Sequence, residues 1–191
     1  MSASLVNVVV RYNYTMQGSA FPSGKFVEIE RKFIVDPTRL PDLGVGVRII
    51  QSYITWTDKV ELRVRITKNR CFLAIKITES NQIRHEYAYE IPLQDGQDIM
   101  SETTQRSPIE KIRYTVIENG ISWDIDIFER KNKGLILAEV ELDSPDTQIP
   151  SLPSWITDEV TQDKRFYNLS LFLDPFTHWS GTCSEKIDSH E

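Results

Sequence analysis

Several common devices for handling metals and phosphates are missing from this 191-residue chain. It has two cysteines and three histidines. Cys71 falls in a predicted strand and Cys183 near the C-terminus, too few for a disulfide framework or a thiolate cluster. Cys71 reads as a small buried hydrophobe. His85, His178 and His190 are too dispersed for a zinc site. There is no GxxxxGK[ST] loop and no GxGxxG after a strand, so the common nucleotide-binding loops are excluded. No apolar run reaches transmembrane length, and LVNVVV at 5–10 has no basic stretch before it to make a signal peptide. A reducing, cytoplasmic setting is therefore expected. The net charge of −6 leaves no broad basic footprint for nucleic acid, and neither nucleic acid nor membrane is an expected partner. No internal repeat is evident.

What is present is ordinary in amount and unusual in arrangement. Hydrophobic residues make up 40% and charged residues 26%, which suits one globular domain with a sizeable core. That domain is expected over 25–175, with a flexible extension at 1–24 and a polar tail at 176–191. FVEIERKFIV, residues 26–35, carries the most information. Strand side chains alternate, so Glu28, Glu30 and Lys32 share one face, opposite Val27, Ile29, Arg31 and Phe33.

The same alternation recurs along the chain. Glu61, Arg63 and Arg65 oppose Leu62 and Val64, and Lys76 opposes Cys71, Leu73, Ile75 and Ile77. Arg84, Glu86 and Glu90 oppose Tyr87, Tyr89 and Ile91. Lys111 and Arg113 oppose Ile112, Tyr114 and Val116; Asp124 and Asp126 oppose Trp123, Ile125 and Ile127; Glu139 and Glu141 oppose Val140 and Leu142. One such strand would read as a solvated face. Seven with charges of both signs clustered at i, i+2 weaken that reading; if the sheet closes into an antiparallel barrel, the charged face turns inward and lines a tunnel. The fold class is then α+β, a barrel of about eight strands whose apolar outside is covered by helices.

Strands are predicted at 47–56, 60–67, 70–79, 82–92, 109–118, 121–130 and 134–143. Lys68-Asn69-Arg70 and Asn119-Gly120 form hairpin turns, the second being the stronger signal. Asp36-Pro37 starts a short helix ending near Leu43, and 94–106 has helical composition. Trp155 to Val160 reads as a short helix, and Asp163 to Leu173 as a covering helix stopped by Pro175. Trp123 lies on the apolar register and reads as core; Trp155 anchors its loop or covers a barrel mouth.

Carboxylates without a His or Cys cluster favour hard cations, Mg2+ or Mn2+ over zinc. Glu28-x-Glu30-x-Lys32 resembles the ExExK signature of the CYTH group, the triphosphate tunnel metalloenzymes, which include tripolyphosphatases, thiamine triphosphatases and class IV adenylyl cyclases. The similarity continues in order through Arg63 and Arg65, Lys76, Glu86 and Glu90, Lys111 and Arg113, Asp124 and Asp126, Glu139-Val140-Glu141, and Val160 to Arg165. It departs at Ala88, where a second carboxylate two residues after Glu86 is expected.

The resemblance implies that Glu28, Glu30, Asp126, Glu139 and Glu141 ligate one or two divalent cations, with Glu86, Glu90 and Asp124 as possible additions. It implies phosphate contacts from Arg63, Arg65, Lys76, Lys111, Arg113 and Lys164, and catalytic roles for Lys32 and Glu30. The eight acids and, with Lys32 and Lys164, seven bases sum to about −1. Two divalent cations would bring the lumen to about +3, suited to a triphosphate of about −5. The expected activity is metal-dependent hydrolysis of a small triphosphate, most simply inorganic tripolyphosphate, by a monomer or homodimer. Cyclisation of ATP to cyclic AMP, and phosphate binding without turnover, are the alternatives.

Overall fold

The structure is a computed structural model and describes residues 24–80, 83–103 and 106–179, with side chains from Val27 onward. In chain order the elements are β1 (Gly24–Val35), β2 (Val47–Trp56), β3 (Val60–Thr67), β4 (Arg70–Thr78), β5 (Ile83–Ile91), α1 (Leu93–Thr103), β6 (Ile109–Glu118), β7 (Ile121–Phe128), β8 (Ile136–Glu141), β9 (Ile156–Glu159) and α2 (Asn168–Leu173). The strands hydrogen-bond in the order β5-β4-β3-β2-β6-β7-β8-β1, and β5 pairs back onto β1, which closes an eight-stranded antiparallel barrel. Most of the 1–24 extension, and the tail beyond Trp179 with Cys183 and His190, lie outside the described residues. Among the described residues no helix is long and apolar enough to cross a membrane.

Register carries the charged residues to one face. Glu30 stands opposite Glu141 and Lys32 opposite Glu139; Glu28 is opposite Arg84, Lys76 opposite Glu86 and Arg113 opposite Asp126. Since a one-residue slip would turn each set outward, the turns matter. Asn119 and Gly120 both have positive φ, 53° and 75°, as a two-residue type I′ hairpin requires. Lys68 has φ 53° in the β3–β4 turn.

Helices cover part of the outer wall. α1 packs over β2–β4, and its buried Gly96 is required because a Cβ there would overlap the Cys71 Sγ. Outside β1, β7 and β8, however, loops do the covering. Phe33, Trp123, Ile125, Val140 and Trp155 form a core against which Leu40, Leu43 and Ile149 pack. Trp155 is buried, stacks edge-on to Trp123 with ring centroids 5.5 Å apart, and donates Nε1–H to Glu118 at 2.7 Å, so it anchors this loop. Val27, Ile77 and Tyr89, which face outward on β1, β4 and β5, remain exposed.

Three local expectations are corrected. Asp36 caps the Thr38 N–H at 2.9 Å, but the helix stops as a 3-10 turn at Pro37–Arg39. Leu40 precedes Pro41, and a residue before proline is driven into the extended region, where Leu40 lies with ψ 139°. Residues 156–159 form a strand, not a helix. β1 outruns β5 by several residues, leaving a free edge that β9 fills through Phe33–Glu159 and Val35–Ile156 pairing. The helix predicted at 163–173 is split by Tyr167, which is extended (φ −74°, ψ 142°) between a 3-10 turn at Lys164–Phe166 and the shorter α2.

α2 also sits in an unexpected place. Leu171 and Phe172 are buried with Tyr53, Ile109, Phe128 and Leu137, which by register lie on the same inward face as Arg63, Lys111, Asp126 and Glu139. The C-terminal segment thus closes one end of the lumen with an apolar plug. Phe176 and Trp179, at the start of the predicted tail, pack against it.

Candidate functional site

The lumen is lined by alternating acids and bases, each placed by a strand. On β1, Lys32 is 3% exposed; its Nζ pairs closely with Glu139 and stands 3.7 Å from Glu30. Burial disfavours the ammonium, yet Glu139 and Glu30 outweigh it and raise the Lys32 pKa. Burial also opposes ionisation of Glu139 and Glu30, but Lys32 with Arg113 holds Glu139 well below the usual carboxylate range, and Lys32 with Arg84 lowers Glu30.

A second cluster spans β1, β3, β4 and β5. Lys76 Nζ lies 2.5 Å from Glu28 and 3.3 Å from Glu86, and Arg63 Nη2 donates to Glu86 at 3.0 Å. The two glutamates respond oppositely. Burial, helped by Glu86 and Glu30 and opposed by Lys76, pushes Glu28 up to about 8. Glu86 is held well below its ordinary value: burial opposes ionisation there, and Lys76 and Arg63 overcome it. Lys76 lies between the two carboxylates and Arg63 bonds only Glu86, so Glu28 is the acid that burial drives towards its protonated form. Among the described residues Arg63 Nε has no hydrogen-bond partner.

The third cluster lies beside the plug. Asp126 is fully buried and receives Lys111 Nζ at 2.5 Å and Arg113 Nη2 at 2.6 Å. Arg113 reaches Asp124 at 3.0 Å and Glu139 at 2.5 Å, linking this cluster to Lys32. Burial lowers the Lys111 pKa despite Asp126, as expected for an ammonium against apolar side chains.

Of the residues predicted for the site, Glu28, Glu30, Lys32, Arg63, Lys76, Glu86, Lys111, Arg113, Asp124, Asp126 and Glu139 are brought together in these clusters. Arg65 is half-buried on the lumen face opposite Phe72 and Gln51. Glu141 is exposed, opposite Glu30. Glu90 is exposed at 44% and paired with Arg70 at 2.5 Å, a rim contact four residues from Glu86. Lys164 is exposed on the 3-10 turn. His85 bonds Glu79 at 2.7 Å, away from these clusters. Sequence reasoning put Arg84 on the charged face with Glu86 but gave it no site role, and gave none to Tyr167 and Thr161 of the C-terminal segment, which no periodicity marks.

Among the described residues no three carboxylates converge as a ready cation cage; lysines and arginines stand between them. The donor chemistry nevertheless fits a hard divalent cation. Glu28, Glu30, Glu139 and Glu141 offer only carboxylate oxygen, and a cation would offset the burial and the repulsion that raise the Glu28 pKa. Asp126, saturated by two bases, fits that role least well.

No family model matches the chain. Over 153 residues it is 37% identical to an inorganic triphosphatase of Acetivibrio thermocellus, across 80% of this chain and 97% of the relative. The chain belongs to the triphosphate tunnel metalloenzymes. An inorganic triphosphatase of Nitrosomonas europaea is 35% identical over 150 residues, 76% of this chain and 97% of that one. A crystal structure of an inorganic triphosphatase aligns with TM-score 0.57 and 36% identity, covering 76% of this chain and 94% of that chain. The aligned share is large enough to contain the whole barrel of this tunnel metalloenzyme.

Proposed function

We propose that this protein is a phosphoanhydride hydrolase that cleaves inorganic tripolyphosphate inside the barrel, using Mg2+ or Mn2+. The observation that carries the reading is the lumen itself, where buried lysines and arginines alternate with carboxylates around a closed wall. Such a surface matches a short, highly charged phosphate chain accompanied by cations. The names of the relatives support the same chemistry. Two cysteines with no framework to join suit a reducing, cytoplasmic setting.

Phosphoryl transfer asks the protein mainly for positioning and charge neutralisation. Arg63, Arg65 and Arg113 suit forked contacts to phosphate oxygens, while Lys76 and Lys111 act as point charges. Glu28, Glu30, Glu139 and Glu141 are the residues to hold the cation, which when bound neutralises phosphate oxygens and makes water more acidic. Lys32, kept charged by Glu139 and Glu30, serves as a hydrogen-bond donor that orients the attacking water or the scissile phosphoryl group, and not as a base. The direct test is a panel of tripolyphosphate, ATP and thiamine triphosphate, each with Mg2+ and with Mn2+, reading free phosphate and cyclic AMP. Phosphate released several-fold faster from tripolyphosphate than from ATP is expected. Stoichiometric cyclic AMP and pyrophosphate from ATP would overturn the reading in favour of cyclisation, and binding without any product would reduce the protein to a phosphate-binding module.

A further inference from the structure

Arg84 is a lumen cation that the site as described leaves without a task. It stands on β5 opposite Glu28, its side chain is 12% exposed, and among the described residues its only carboxylate within ion-pair range is Glu30 at 3.8 Å. That separation is too long for a hydrogen bond, so among the described residues this half-buried five-donor fork has no close acceptor. What fixes the guanidinium is an aromatic face, since its carbon lies 4.6 Å from the Tyr167 ring centroid. Tyr167 is held in turn, its hydroxyl donating to the Thr161 carbonyl at 3.1 Å. The Thr161 Oγ1 accepts the Lys32 backbone N–H at 3.0 Å. Ring, threonine and lysine backbone are thus joined by hydrogen bonds, and Arg84 lies on the ring at the plugged end of the lumen.

We propose that Arg84 is a further substrate-binding residue, gripping the oxygens of a terminal phosphoryl group at the plugged end, and that Tyr167 is its positioning residue. The contrast with Arg113 supports this. Arg113 is engaged by three carboxylates, whereas Arg84 has its charge, its donors and a planar support with no close partner. A cation on an aromatic ring keeps its edge donors free for a planar or tetrahedral oxyanion, and a guanidinium in a partly dry lumen gains most from the anion that arrives.

The proposal rests on the hydrolase reading, and its test separates the two. Sodium tripolyphosphate is given with Mg2+ to the wild-type protein and to Arg84→Ala, Arg84→Lys, Tyr167→Phe and Tyr167→Leu. KM and kcat are read from phosphate release, and binding to the Mg2+-free protein from the shift in unfolding temperature. Arg84→Ala should raise KM tenfold or more and lose most of the tripolyphosphate-induced shift, with Arg84→Lys between it and wild type. Tyr167→Phe should keep the wild-type KM, because the ring remains. Tyr167→Leu should raise KM several-fold while kcat changes less than twofold, a split that a purely structural role would not produce. Should Arg84→Ala fail to fold, Arg84→Lys and the Tyr167 pair decide alone. Wild-type KM in Arg84→Lys and Tyr167→Leu, or in Arg84→Ala, would overturn the proposal. If the wild type binds tripolyphosphate but releases no phosphate, the hydrolase reading falls, and the Arg84 assignment is still decided by the shifts.

Discussion

Glu28 makes the stability of the metal-free protein depend on pH in a direction opposite to most carboxylates. Its pKa is raised from 4.5 to about 8 by burial and by Glu86 and Glu30, against the pull of Lys76. A carboxyl that holds its proton more tightly when folded contributes fully below the unfolded pKa, and its contribution is lost as pH rises from about 4.5 to about 8. At about 1.4 kcal/mol per pH unit the ceiling is about 5 kcal/mol. Sharing of the proton with Glu86 reduces this to a few kcal/mol. For a chain of this size each kcal/mol is worth roughly 2–4 °C, so Glu28→Gln, which mimics the protonated acid, should unfold near the wild-type temperature at pH 5 and up to about 10 °C above it at pH 9. Thermal unfolding in EDTA across that range is the assay, and Mg2+ should restore the wild type at pH 9 but act weakly on Glu28→Gln. Parallel curves for the two proteins, with and without Mg2+, would refute the assignment of the proton to Glu28.

Glu30→Gln and Glu141→Gln should each lower phosphate release from tripolyphosphate by two orders of magnitude or more while leaving the metal-free unfolding temperature unchanged or raised; full activity in both would remove them from the cation site. Asp126→Asn should lower stability by about 3–5 kcal/mol, because it strips the counter-charge from a buried ammonium, and Lys111→Met in the same chain should recover part of it; an unchanged unfolding temperature in the single variant would contradict the buried pair. Gly96→Ala should cost about 1–3 kcal/mol through overpacking against Cys71, measurable by denaturant unfolding, with Cys71→Ala relieving it. Additive effects of those two substitutions would show that the contact is not the cause.

Much of the barrel was legible because alternation is a local signal. Glu28, Glu30 and Lys32 declare their shared face within five residues, and Asn119-Gly120 declares its turn within two. The cap was not legible, because what decides it is remote. Ile156 to Glu159 becomes a strand only where β1 extends beyond β5 and offers an edge. Tyr167 leaves the helix because its hydroxyl and ring are held by Thr161 and Arg84. The resemblance supplied the ordered set of site residues, but not which acid meets which base. That needs the register of strands more than a hundred residues apart, and it assigns Glu139 to Lys32 and Glu90 to the rim. It also turns a helix expected on the outer wall into a plug within the lumen.

The closure of the barrel has a consequence for how the protein is made. Lys32 meets Glu139 across 107 residues of chain, and Arg31 meets Glu159 across 128. While the chain is being synthesised, the strand carrying Glu28, Glu30 and Lys32 can meet β4 and β5 early but must wait for β8 and β9 before its partners are complete. Contacts of such long sequence separation pay a large loop-closure cost before they are rewarded and fold slowly. The Lys76–Glu86 and Lys111–Asp126 pairs can form within their own hairpins, but Lys32 reaches Glu139 only after β8 has been made, and a nascent chain stopped before Glu139 holds half a site.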